Sequence, residues 1–185
     1  MDEKERLIAL HSTPQTFQKL SESDDGCPVT SSQVLALSFD KITEKYCVQW
    51  FKNTKATPCS ADAVFFHEAE IYLIEFKPST KLSTSQKVEL KLKCLESILT
   101  IMDITGCNRD FARDHITYIV VYAKQPNSYY EKISNKISGY ANNPLGTTGL
   151  GLGRLKGVYC KNVFTTDNET FEANFMHHCE VNSKT

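Results

Sequence analysis

Residues 61–79 read ADAVFFHEAEIYLIEFKPS, and the fold is decided there. Two runs rich in β-branched and aromatic residues, 63–66 and 71–76, flank the polar tetrapeptide HEAE, which is the pattern of a β-hairpin, and Pro78 stops the second run. With the turn centred between Glu68 and Ala69, Val64 faces Leu73 and Phe66 faces Ile71, apolar against apolar. The same register sets Asp62 opposite Glu75.

Side chains alternate along a strand, so Ile71, Leu73, Glu75 and Lys77 point to one side, and Tyr72, Ile74 and Phe76 to the other. Asp62, Glu75 and Lys77 therefore share a face, and IYLIEF is apolar on both faces, as expected of a strand covered on both sides. Charges in such a setting need a partner. Two carboxylates about 4 Å apart repel by roughly 4 kcal/mol at an effective dielectric near 20, enough to protonate one of them unless a cation intervenes. Lys77 supplies one positive charge. A divalent ion would supply two, and Mg²⁺ favours one or two carboxylates completed by waters and a phosphate. The competing reading is a cross-strand ion pair on an exposed sheet face, a common and weak arrangement.

Outward from the hairpin, helix and strand patterns alternate. From about Ser31 a helical pattern runs through QVLALSFDKITEKYCVQWF to near Asn53, with Leu35, Phe39, Ile42, Tyr46 and Trp50 on one stripe. After the hairpin, Ser83 and Gln86 form a capping box, and Val88, Leu92, Leu95, Leu99 and Met102 keep helical spacing up to Gly106, a natural stop. ITYIVVY, residues 116–122, is continuous apolar sequence suited to a central strand. SYYEKISNKISGY reads as a short helix, 139–157 as a glycine-rich loop, GVYCKNVFTT as a returning strand, and the chain from Asn168 as a last helix ending in a frayed tail at 177–185. The first ten residues also look helical. This alternation predicts one α/β domain over 1–185, a mixed central sheet flanked by helices.

Composition narrows the function classes. Lys and Arg total 21 against 22 Asp and Glu, a net charge of −1, so no protein-wide field announces a polyanion partner. No apolar run reaches membrane-spanning length, which argues for no membrane partner. The 7 cysteines are odd in number and irregularly spaced, without a CxxC, which predicts a reduced, cytoplasmic protein. GTTGLGLGR lacks phosphate-loop spacing, and the adjacent His177, His178 and Cys179 cannot converge on one ion. No serine or cysteine stands in a recognisable nucleophile motif.

Asp62, then Glu75-Phe76-Lys77 at hairpin-matched distance, then a capped helix, resembles the PD-(D/E)XK nuclease superfamily, including small bacterial members. The resemblance spans residues 31–125 and implies a restriction-endonuclease-like αβββαβ core. It departs in one respect: Ala61 stands where the family motif has proline. The resemblance implies that Asp62 and Glu75, with the Phe76 carbonyl, hold Mg²⁺ or Mn²⁺, and that Lys77 orients the attacking water and stabilises developing charge. Many family members add a glutamate from the first core helix, for which Glu44 is the candidate here and a solvated glutamate the alternative. A basic residue on the helix after the motif is also common; Lys91 and, one turn earlier, Lys87 are the candidates, with snorkelling lysines the alternative. Arg154 in the glycine-rich region is a candidate for backbone phosphate contact.

The implied function is a metal-dependent phosphodiesterase acting on nucleic acid, DNA favoured over RNA, with room for a homodimer. The rival is a catalytically inactive protein of the same fold, a binding, immunity or assembly module. Near-neutral charge leans toward the rival, because proteins that hold a polyanion are often basic.

Overall fold

The computed structural model describes residues 12–23, 25–51, 57–79, 81–124 and 150–176. The expected helices over the first ten residues and SYYEKISNKISGY, most of the glycine-rich region and the tail at 177–185 lie outside the described residues.

The hairpin forms as its sequence demands. Strand β3 (Ala63–His67) pairs antiparallel with β4 (Glu70–Lys77) in the expected register, Val64 against Leu73 and Phe66 against Ile71. Glu68 makes the turn at φ 53, an αL conformation that is uncommon for a residue with a Cβ. Around this pair the described residues build one six-stranded mixed sheet in sequential order: β1 (Pro14–Thr16), β2 (Leu35–Ser38), β3, β4, β5 (Ile116–Tyr122) and β6 (Asn162–Asp167). The first four strands run antiparallel, while β5 and β6 join parallel. ITYIVVY is thus an interior strand, as its unbroken apolar run requires.

The helices are α1 (Phe17–Leu20), α2 (Phe39–Phe51), α3 (Thr84–Thr105), α4 (Arg109–His115) and α5 (Asn168–Thr170), the last continuing as a π turn over Phe171–Met176. Capping decides the ends of α3. Ser83 accepts from the Gln86 N–H while the Gln86 side chain accepts from the Ser83 N–H, and Gly106 closes the helix at φ 65, where a side chain would be strained.

Two expectations need correction. Residues 35–38 are strand, not the first turn of the helix: VLALS alternates as well as it repeats helically, and Leu37 finds Val64 across the edge of β3. The helix begins at Phe39, so Leu35 and Trp50 are exposed instead of belonging to its core stripe. The order through 35–122 is consequently βαββααβ, with α2 between β2 and β3 and the short α4 added before β5, where the resemblance implies αβββαβ.

Alternation along β4 divides two cores. Ile71 and Leu73 pack with Val64, Tyr118 and Val163 beneath α2, α3 and α4. Tyr72, Ile74 and Phe76 pack on the opposite face with Phe17 of α1 and with Phe171 and Phe175. The result is three layers, helices on both faces of the sheet.

Candidate functional site

Segment 59–62 is clamped before β3 begins. Cys59 donates its N–H to Glu96, Ala61 donates to Ser97 Oγ at 2.9 Å, Ser60 Oγ donates to Asp40 Oδ1, and Phe39 N–H donates to the Asp62 carbonyl at 3.1 Å. Helices α2 and α3 thereby fix the backbone of Asp62 from both sides. Its carboxylate then turns toward β4, where Oδ2 accepts the Phe76 N–H at 2.6 Å, beyond the end of the β3 ladder.

Glu75 is fully buried at 0% exposure on the face covered by α3. Lys77 Nζ lies 2.8 Å from its Oε1. Lys93, on α3, donates to that same Oε1 at 2.8 Å and reaches Asp62 Oδ1 at 3.4 Å. Asp62, Glu75 and Lys77 thus converge on one face, and Lys93 stands between the two carboxylates. Glu75 Oε2 is buried with no hydrogen-bond partner among the described residues.

These contacts set the charges. Burial, seconded by the Asp62 carboxylate, pushes Glu75 up to about 7 against the pull of Lys93 and Lys77. For Lys93 burial works to lower the pKa, but Glu75 and Asp62 together outweigh it and raise it. Asp40 is raised by burial and by Asp62, in opposition to the Ser60 hydrogen bond.

The remaining sequence candidates are not gathered here. Glu44 is exposed on α2; the acid that α2 turns toward the site is Asp40 in its first turn, held by Ser60 and close enough to Asp62 to feel its charge. Lys91 is two positions from Lys93 and so lies on the opposite flank of α3, where its Nζ is 3.7 Å from the place a Cβ on Gly151 would take. Lys87 is half-buried on that same flank, and Arg154 is exposed in the 3₁₀ turn Gly153–Leu155. Phe76 enters through its N–H, while its ring belongs to the opposite core. The signal for Lys93 was present in its spacing: it falls three after Leu90 and four before Ser97, both buried against the sheet.

The donor set bears on whether a metal fits. No group of three or more His, Cys, Asp or Glu able to hold an ion occurs among the described residues. Two carboxylates do meet, one of them with a free buried oxygen, which suits a hard cation that keeps most of its waters and not an ion caged by protein. Among the described residues no helix is long and apolar enough to cross a membrane. No family model matches the chain, and neither curated proteins nor solved structures provide a match.

Proposed function

We propose that this protein is a metal-dependent phosphodiesterase of the restriction-endonuclease-like kind that cuts nucleic acid, with DNA the favoured substrate. What carries the reading is the convergence of Asp62, Glu75 and Lys77 on the covered face of the hairpin, with the unpartnered Glu75 Oε2 among them. Three antiparallel strands followed by helices and a parallel strand also support the reading, the helix between β2 and β3 being the departure from the αβββαβ order.

Asp62 and Glu75 are the residues that would hold Mg²⁺ or Mn²⁺, with the Phe76 carbonyl as a further ligand. Such an ion supplies Lewis-acid stabilisation of phosphoryl charge and a more acidic water. Lys77, at the open end of β4 and only partly covered, is placed to orient that water and to stabilise negative charge as it develops. Lys93 bridges Glu75 and Asp62 and opposes the rise that burial imposes on Glu75, acting as a positioning residue.

A second reading rests on that same lysine. Lys77 and Lys93 already match the two carboxylates charge for charge, so the cluster is compensated by the chain itself and suits a non-catalytic module of this fold. The two readings part on one experiment: thermal unfolding and cleavage of single-stranded and duplex DNA, with and without Mg²⁺ or Mn²⁺. The enzyme reading expects the ion to raise the unfolding temperature, and Lys77→Ala to lose cleavage by a hundredfold or more, on the order of 3 kcal/mol, while remaining folded. A wild-type protein that neither gains stability from the ion nor cuts DNA or RNA belongs to the second reading.

A further inference from the structure

Helix α3 has two apolar faces. Leu90, Cys94, Ser97, Ile98 and Ile101 are buried against the sheet. Val88, Leu92, Leu95, Leu99 and Met102 follow one another at spacings of four and three, the a and d positions of a heptad, on nearly the opposite side of the helix. Val88 is 49% exposed, Leu92 43% and Leu99 61%, while Leu95 and Met102 lean partly onto the core. Beside the seam, Leu99 and Met102 join exposed Phe51 and the Tyr46 ring in a cleft of about 490 Å³. A sheet-covering helix needs only one apolar face. The second, regular at the coiled-coil period, is surface shaped for another helix.

The flanking charges say which helix. Glu89, Glu96 and Asp103 recur every seven residues along one edge of the seam, and Lys91 lies on the other edge. In a parallel pair of helices, a residue on the second edge faces the residue five positions later on the first edge of its neighbour. Lys91 and Glu96 have that spacing, so two copies of α3 laid in parallel bring Lys91 of each against Glu96 of the other and Glu89 against the uncharged Thr84, while Asp103 stays with the Tyr46 hydroxyl and Ile98 with the sheet of its own copy. Laid antiparallel, the same helices would set Glu96 against Glu96 and Glu89 against Asp103, which repels.

We propose that this chain forms a homodimer through α3, the two helices parallel and packed along Val88, Leu92, Leu95, Leu99 and Met102, with Lys91 and Glu96 fixing register and direction. The interface is isologous, and it gives Lys91 a part on the flank that faces away from Lys93. It does not depend on the phosphodiesterase reading.

Light scattering and sedimentation equilibrium of the full chain test it over a wide concentration range. The wild type is expected as a dimer. Leu92→Asp combined with Leu99→Asp is expected to give a monomer that keeps the circular dichroism spectrum and cooperative unfolding of the wild type, because both side chains face outward, with an unfolding temperature that no longer depends on protein concentration. Lys91→Glu and Glu96→Lys should each weaken dimerisation on the order of tenfold, and the two together should restore it. Should Glu96→Lys lower the unfolding temperature by releasing the Cys59 N–H, Lys91→Glu set against Lys91→Gln carries the comparison, the glutamate dimerising the more weakly. A wild type that stays monomeric throughout overturns the proposal. So does a dimer indifferent to the Leu92 and Leu99 changes, or one weakened no more by Lys91→Glu than by Lys91→Gln.

Discussion

Glu75 is held by two ammonium groups that arrive by different routes. Lys77 is its neighbour two residues on along the same strand face, whereas Lys93 comes from the helix that covers that face. Removing Lys93 leaves a fully buried carboxylate with a single partner and releases Asp62 from its cation. Breaking a buried pair on one side costs about 3–5 kcal/mol, because the remaining charge stays desolvated. Lys93→Met, which keeps the length of the side chain, is therefore expected to lower unfolding free energy by roughly 3 kcal/mol in denaturant titration. A variant as stable as wild type would mean that Lys93 lies outside the cluster. Asp62→Asn is a gentler change, since an amide oxygen can still accept the Phe76 N–H.

Among the elements, α3 carries most of the organisation: its buried face covers the sheet, its flank delivers Lys93, and Glu96 and Ser97 hold the segment that presents Asp62. Its starting point is fixed by the Ser83 and Gln86 capping box, so Ser83→Ala should cost about 1 kcal/mol of stability, seen as a lowered denaturant midpoint with unchanged slope. No change in midpoint would place the determinant of the helix start elsewhere. The box and Gly106 were legible in the sequence because caps are local chemistry. The buried face was not: the five residues at regular helical spacing located the helix, yet three of them are exposed, and a less regular set that includes Cys94 and Ser97 packs on the sheet. Residues 35–38 misled for the same reason, since a four-residue stretch fits both periods and only the presence of β3 beside it decides for strand.

At the scale of the whole molecule, the raised Glu75 couples folding to pH. A carboxyl whose folded pKa lies near 7, above its ordinary 4.5, binds its proton more tightly in the folded state. Its contribution is complete below the lower value and is lost as pH rises through the window between the two, at up to about 1.4 kcal/mol per pH unit. Asp40, raised in the same direction, adds to the fall. Unfolding free energy should therefore decline from the acidic to the neutral end of that window, and the decline should flatten in Glu75→Gln. An equal slope in both proteins would assign the dependence to other groups.

The sequence by itself determined the hairpin, its register, the sharing of one face by Asp62, Glu75 and Lys77, the capped α3 and the interior strand β5. Each rests on local periodicity or on neighbours a few residues apart, where the chain leaves little choice. Only the tertiary structure decided that Lys93 and not Lys91 approaches the carboxylates, that Asp40 and not Glu44 is the acid of α2 that is held beside the Asp62 segment, and that residues 35–38 join the sheet. Those outcomes depend on the rotation of a helix about its axis and on which strand lies next to an edge, and both are settled by packing between segments far apart in the chain.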